Sequence, residues 1–259
     1  MMSRQSQLLE LITENGRMEV SRLAERLGVS QVTIRKDLIA LEEKGILRRE
    51  HGYALLYSGE DINSRLAYHY ESKRRIAQAA AAMVSDGETV MIESGSCCAL
   101  LADELASVRH DVTIVTNSAF IAGYVRRRPG ARVVLLGGDF QSEAQVMVGP
   151  MTRQCAENYF VDKLFIGADG YIAPYGFTGS DLLRAEAVRD MARQASRVIV
   201  LTESQKFRQK GTVALLPIER ISMVVTDGAI PDDVADHLSE RHVELIRACE
   251  AMDVPLRKP

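Results

Sequence analysis

Cysteine is scarce in this 259-residue chain: there are four, at Cys97, Cys98, Cys155 and Cys249. None forms a C-x-x-C pair and none has a nearby histidine partner, so no zinc site is expected. The pattern reads as buried or pocket thiols in a reducing compartment, and the adjacent Cys97-Cys98 reads as packing rather than a redox switch. No run of about 18 apolar residues occurs, so no transmembrane helix and no membrane partner are expected. Met1-Met2-Ser3-Arg4-Gln5 lacks an apolar leader core, and the expected compartment is the cytoplasm. Neither G-x-G-x-x-G nor G-x-x-x-x-G-K-S/T is present, which disfavours a dinucleotide or P-loop site. Charge of one sign is also lacking: the formal net charge is −3. That argues against non-specific coating of nucleic acid but leaves room for a local basic face. His69, His110, His237 and His242 are scattered and read as surface or satisfied groups.

What is present is ordinary globular composition, 46% hydrophobic and 26% charged, over a length sufficient for two domains. A body of roughly 200 residues buries a sizeable core without disulfides or metal.

The first sixty residues carry the sharpest pattern. Leu8, Leu11 and Ile12 recur at helical spacing before Gly16. Val20, Leu23, Ala24 and Leu27 form a second stripe closed by Gly28. Ser30 is a good N-cap for a third helix. Two short helices, a tight turn and a third helix make a helix-turn-helix. At about 100° per residue, Ile34, Leu38 and Leu41 share one side of that third helix. Val32 and Lys36 lie nearly opposite, flanked by Thr33 and Arg35. Cations for phosphate or guanine edges, with a hydroxyl and a small apolar group for thymine, suit a recognition helix, and contacts concentrate near its N-terminus. The expected DNA-binding residues are therefore Ser30, Gln31, Val32, Thr33, Arg35 and Lys36. Residues 46–57 read as a β-hairpin turning near Gly52. Its Arg48, Arg49 and His51 are candidates to follow the DNA backbone as a wing. The alternatives are a solvated amphipathic helix and a solvated hairpin edge.

Residues 1–57 are thus expected to form the DNA-binding domain, 58–72 a polar, irregular linker, and 73–259 an α/β sensor domain. In the last, strands are expected at Thr89–Glu93, Val112–Thr116, Val133–Leu136, Lys163–Gly167, Val198–Thr202, Met223–Thr226 and Val243–Ile246. Helices are expected at Ile76–Val84, Ala99–Leu105, Ala119–Arg127, Leu183–Ala195 and Asp232–Glu240. Short apolar strands alternating with helices imply a mainly parallel sheet covered on both faces, with ligands bound beyond the strands' carboxyl ends. The residues that follow each strand are small or polar. Ser94-Gly95-Ser96-Cys97-Cys98 precedes a helix whose N-terminus offers free N–H groups to an anion such as phosphate. Asn117-Ser118, Gly137-Gly138, Ala168-Asp169-Gly170 and Glu203-Ser204-Gln205-Lys206 follow later strands. Lys206 suits phosphate, and Asn117 and Asp169 suit hydroxyls. A single loop of this kind is usually just a turn; their repetition points to a polar pocket.

The whole chain resembles the DeoR-type bacterial transcriptional repressors of sugar metabolism. The resemblance rests on Val32-Thr33-Ile34-Arg35-Lys36-Asp37-Leu38, Leu41-Glu42, Arg49 and His51-Gly52 in the head. In the body it rests on Glu93-Ser94-Gly95-Ser96, Val115-Thr116-Asn117-Ser118, Leu136-Gly137-Gly138, Val161-Asp162, Gly167-Ala168-Asp169-Gly170, Gly176-Phe177-Thr178, Ser204, Lys206 and Phe207. It implies a winged helix-turn-helix joined to a ribose-phosphate-isomerase-like sensor domain. It also implies a phosphorylated sugar or polyol as effector, a homo-oligomer (dimer or tetramer), and release from operator double-stranded DNA on effector binding. Ser94, Gly95, Ser96, Cys97, Asn117, Gly138, Asp169 and Lys206 fall at its effector positions. No cofactor, metal or catalytic residue is implied. The chain departs from the family's usual Asp at Glu93, Thr-Thr at Ser96-Cys97, Asp-Ser-Ser-Lys at Glu203 to Lys206, the second Thr of Thr-Thr at Gly179, and Gly-Gly at Gly52-Tyr53. Cys97 removes one hydroxyl donor from the expected phosphate loop. Two other readings stay open. One is a sugar-phosphate isomerase with an accessory head, using Glu93, Asp169, Glu186 and Lys206 as acid/base groups. The other is a sugar-phosphate-binding module whose head contacts protein.

Overall fold

The computed structural model describes residues 2–57 and 61–248. Helix α1 (Arg4–Asn15) starts at Ser3, whose side chain accepts from the Ser6 amide, and buries Leu8, Leu9 and Ile12. Strand β1 (Arg17–Glu19) follows, then α2 (Val20–Leu27), which stops at Gly28 in the left-handed conformation, φ 64°. Helix α3 (Gln31–Glu43) is capped as expected: the Ser30 hydroxyl accepts from the Thr33 amide at 3.2 Å. Ile34, Leu38 and Leu41 are fully buried. Strands β2 (Leu47–Glu50) and β3 (Tyr53–Leu56) form the hairpin. Its two turn residues, His51 and Gly52, both have positive φ, 47° and 84°, which matches the twist of antiparallel strands. β1 pairs with β3, so the wing is a three-stranded sheet. The sequence reading had no strand at 17–19, because three residues carry too little periodicity to register.

The expected linker is a correction. Its residues 58–60 lie outside the described residues, but Ile62–Ala67 form a helix, α4, capped by Asp61 and burying Ile62, Ser64, Leu66 and Ala67. Helix α5 begins at Tyr70 and runs to Ala81.

The body then runs β4 (Thr89–Ile92), α6 (Ser96–Val108), β5 (Val112–Thr116), α7 (Ala119–Val125) and β6 (Ala131–Leu135). A hairpin follows, β7 (Asp139–Gln141) with β8 (Val146–Val148), then α8 (Pro150–Ala156) and β9 (Val161–Ile166). Next come β10 (Gly170–Ile172), β11 (Gly176–Gly179), α9 (Leu182–Ala192) and β12 (Ala195–Leu201). The described chain closes with β13 (Val213–Ala214), β14 (Met223–Asp227), α10 (Asp232–Glu240) and β15 (Glu244–Ala248). Each of the seven expected strands is found, its ends shifted by a few residues at most. They form one parallel sheet in the order β15-β14-β12-β9-β4-β5-β6. β10, β11 and β13 form a small antiparallel sheet beside it.

Side-chain alternation divides the interior in two. Val90, Ile92, Ile114, Phe165, Ile199 and Val225 face one layer with α5, α6 and α7. Met91, Val115, Leu164, Ile166, Val198, Val200 and Val224 face the other with α9 and α10. The first layer is continuous with the core of the head, through Ile62 and Leu66 of α4. Polar contacts reinforce the join. Lys44, which ends α3, pairs with Asp103 of α6 at 2.9 Å, and the Ser6 hydroxyl donates to Glu71 of α5 at 2.5 Å.

Candidate functional site

In the sheet order, β4 leads to β5 and β6 on one side, while β9 leads to β12, β14 and β15 on the other. The order therefore reverses between β4 and β9, and a crevice opens at such a reversal beyond the strands' carboxyl ends. A cavity of about 260 Å³ lies there. The loop after β4 lines it with Glu93 to Cys97, the loop after β9 with Gly167 to Asp169, and the segment after β12 with Thr202, Glu203, Gln205 and Lys206. Gly179 enters from the end of β11, Ser180, Asp181 and Arg184 from the start of α9, and Arg65, Tyr68 and Lys73 from α4 and α5.

The backbone of the first loop is built for close approach. Gly95 has φ 121° and caps α6, a conformation that L side chains rarely adopt. The amides of Ser96, Cys97 and Cys98 lie in the first turn, where no intrahelical acceptor exists. They coincide with the positive end of the helix dipole, a combination suited to an oxyanion.

Charged groups of both signs surround this loop. Asp169 takes two bonds from Ser180, from its amide at 3.0 Å and its hydroxyl at 2.8 Å. Arg184 in turn donates to the Ser180 hydroxyl at 2.8 Å. The Arg65 guanidinium stands 3.9 Å from the other Asp169 oxygen. Both arginines have a buried Nε with no hydrogen-bond partner, although Arg184 Nε stands 3.9 Å from an Asp181 oxygen. Lys206 Nζ donates to Gln209 at 2.9 Å. Lys73 is almost fully buried and donates to the Arg65 and Tyr68 carbonyls at 2.5 and 2.6 Å, with Glu203 at 3.4 Å. Burial lowers its proton affinity, and Glu203 partly restores it.

Glu93 is buried at the carboxyl end of β4 and accepts from the Ser94 hydroxyl at 2.6 Å. Burial pushes its pKa up to about 7; the Ser94 bonds and Arg184 oppose that rise, and Asp169 adds to it. Burial likewise pushes the Cys97 thiol up to about 12, so little thiolate exists at neutral pH. Among the described residues, no group of three or more His, Cys, Asp or Glu stands as a metal site.

Six of the eight expected effector residues line this cavity: Ser94, Gly95, Ser96, Cys97, Asp169 and Lys206. Asn117 and Gly138 do not. Asn117 is fully buried, and its amide donates to the Met147 carbonyl at 3.0 Å, pinning the β7–β8 hairpin. Gly138 has φ 151°, and a Cβ there would lie 2.1 Å from the Thr152 hydroxyl; its role is tight packing of that hairpin on α8. Glu186 is exposed on α9 and is not part of the cavity lining. The sequence reading missed Arg65, Lys73, Ser180 and Arg184. Arg65 sat in the presumed linker, and no local pattern marked the other three.

On the head, Ser30, Gln31, Arg35 and Lys36 are exposed, Thr33 half-buried, and Val32 61% exposed. Arg35 donates to Gln31 at 3.4 Å, and the Ser30 hydroxyl is engaged as the helix cap. Arg48 and His51 are exposed on the hairpin. Arg49 is committed differently: its amide and guanidinium bind Glu42 of α3, at 2.8 and 2.7 Å. It fastens the hairpin to α3.

Residues 4–59 match the family described as DeoR-like helix-turn-helix domain, and residues 68–228 match the DeoR C terminal sensor domain. A protein of Escherichia coli O157:H7 named as an aga operon transcriptional repressor is 30% identical over 249 residues, covering 94% of this chain and 92% of its own. The transcriptional regulator GolR of Listeria innocua is 29% identical, covering 88% of this chain and 91% of its own. Among solved structures, the sorbitol operon regulator SorC of Klebsiella pneumoniae matches 90% of this chain and 97% of its own, at 14% identity and a TM-score of 0.40. Ribose 5-phosphate isomerase A of Methanocaldococcus jannaschii matches 53% of this chain and 54% of its own, at 19% identity and a TM-score of 0.40. With its helix-turn-helix head and its seven-stranded parallel body, the chain belongs to the DeoR family of transcriptional regulators.

Proposed function

We propose that this protein is a cytoplasmic repressor of a carbohydrate-utilisation operon, released from its operator when a phosphorylated sugar or polyol fills the cavity. Residues 1–57 act as the DNA-binding domain and 73–259 as the sensor. The observation that carries this reading is the convergence of a helix N-terminus with no side-chain cap at Gly95-Ser96 with Lys206 and two guanidinium groups whose Nε atoms lack hydrogen-bond partners. A phosphate takes those donors, while Asp169, Glu93 and Ser94 hold hydroxyls. The names of the relatives, operon repressors and regulators, favour this over isomerisation. Glu186, one of the acid/base groups that an isomerase would use, is not part of the cavity lining.

On DNA, Gln31, Val32, Thr33, Arg35 and Lys36 face the major groove, and Arg48 and His51 follow the backbone. A homo-oligomer, dimer or tetramer, sets two such heads on a symmetric site. The test is a thermal-shift screen of sugar phosphates, since a ligand of the native state raises its stability. Each hit is then titrated against the complex with the chain's own promoter DNA, followed by fluorescence anisotropy. Release of DNA by a hit, lost in Lys206→Ala with DNA affinity retained, is the expected result. Turnover of a pentose or hexose phosphate at ordinary enzyme rates overturns it.

A further inference from the structure

Helix α4 spans only six residues, yet it meets the cavity at one position and the residue just past the C-cap of α3 at another. Arg65 lines the cavity; its Nε is buried with no hydrogen-bond partner, and its terminal nitrogen stands 3.9 Å from Asp169. Two residues earlier, the Asn63 amide donates to the Gly45 carbonyl at 2.7 Å. Gly45 directly follows Lys44, the C-cap of α3. The approach is close: a Cβ on Gly45 would lie 3.2 Å from the Asn63 nitrogen. Gln145, from the turn between β7 and β8, holds the other Asn63 atom at 3.1 Å. Lys73 grips the C-terminal end of α4 through the Arg65 and Tyr68 carbonyls.

Two other helices also join head and cavity. α6 and α5 contribute Ser96 and Lys73 to the cavity and contact the head through Asp103 and Glu71. Both are 12 residues or longer and packed along the sheet, with eight and six buried side chains respectively. Shifting either disturbs a close-packed core. α4 is shorter and buries fewer side chains, four in all, and polar contacts at both its ends exchange partners at lower cost than packed apolar ones. The unbonded Nε–H of Arg65 gives an entering oxyanion a donor to bind.

We propose that Arg65 is a ligand-contacting residue, and that α4 transmits filling of the cavity to the C-terminal end of the recognition helix through Asn63 and Gly45. An oxyanion bound at the Gly95-Ser96 loop accepts from the Arg65 Nε and draws the guanidinium away from Asp169. The α4 backbone follows, and the Asn63–Gly45 bond shifts or breaks, changing the angle at which α3 leaves the body. This rests on the reading of the cavity as a ligand site, and a two-state coupling of this kind requires the ligand to favour one arrangement by its differential contacts.

Hydrogen exchange read by mass spectrometry on the full chain tests it, with inorganic phosphate and ribose 5-phosphate as probes at millimolar concentration and constant ionic strength. In the unmodified protein, exchange slows at 94–98 and at 61–67, and changes at 41–47 by about fivefold or more, the lower end of typical coupling between sites. Asn63→Ala keeps the first two responses and loses the third. Arg65→Gln keeps the response at 94–98 and loses the other two, and Arg65→Lys, which preserves charge, loses them likewise because it lacks the Nε donor. A response at 41–47 that survives Asn63→Ala, or an Arg65→Gln pattern identical to the parent, overturns the relay. Absence of any response at 94–98 with either probe overturns the cavity reading itself.

Discussion

Replacing Glu93 by Gln removes a pH dependence that the structure builds into the fold. The carboxyl is buried at the end of β4, with its pKa pushed from 4.5 to about 7. Between those two values the native state holds a proton that the unfolded chain releases. Stability therefore falls as pH rises through that window and levels off above the folded-state value. Each pH unit is worth about 1.4 kcal/mol for one such group, so the full loss approaches about 3 kcal/mol, a large fraction of a typical folding free energy. Gln has nearly the shape of the neutral acid and accepts the Ser94 hydroxyl proton in the same way, but it does not ionise. The assay is urea unfolding of both proteins, followed by far-UV circular dichroism at half-unit steps from pH 5 to pH 8. The difference between them isolates Glu93 from every other titrating group. Expected is a parent protein that loses ground to the Gln variant steadily from pH 5 and by up to about 3 kcal/mol at pH 8. A difference that stays flat across the range refutes the argument, because it means that the ionised carboxylate is solvated or paired in the folded state.

Ser30→Ala removes the hydroxyl that caps α3 and is expected to cost about 0.5–2 kcal/mol in thermal or urea denaturation. Arg35→Ala and Lys36→Ala each weaken promoter binding while the circular dichroism spectrum and melting stay unchanged. Where the lost contact is to phosphate, the slope of log affinity against log salt falls by about 0.9. Arg49→Ala acts by another route: because Arg49 is tied to Glu42, the loss shows first as a looser wing in hydrogen exchange and only secondarily in DNA affinity. Gly138→Ala sets a Cβ 2.1 Å from the Thr152 hydroxyl and 2.6 Å from the Val148 carbonyl, at φ 151°. Its expected cost is at least about 2 kcal/mol by denaturation, with soluble yield reduced.

How legible the site was in the sequence turns on strand order. The seven sheet strands declare themselves as short apolar runs because both faces of a parallel sheet are covered, and the third helix declares itself through Ile34, Leu38 and Leu41 with a cap three residues before the amide it binds. The small polar residues after each strand were equally visible after β4, β5, β6, β9 and β12. Nothing in those local patterns separates Ser94 from Asn117 or Gly138. The difference arises only when β4 is set between β9 and β5. The ends of β4, β9 and β12 then surround the crevice, while the ends of β5 and β6 are covered by the β7–β8 hairpin, which takes the Asn117 amide at Met147 and packs against Gly138. The same reasoning explains α4. Ile62 and Leu66 are one helical turn apart, too short a span to show a period, and they follow a polar stretch. Their burial exists only because the head and the sheet supply surfaces on either side. Arg65 and Asn63 thus acquire their partners, Asp169 and Gly45, from residues about a hundred positions later and eighteen positions earlier. A loop pattern can nominate a pocket, but the identity of its far wall is decided by which distant segments the topology brings opposite it.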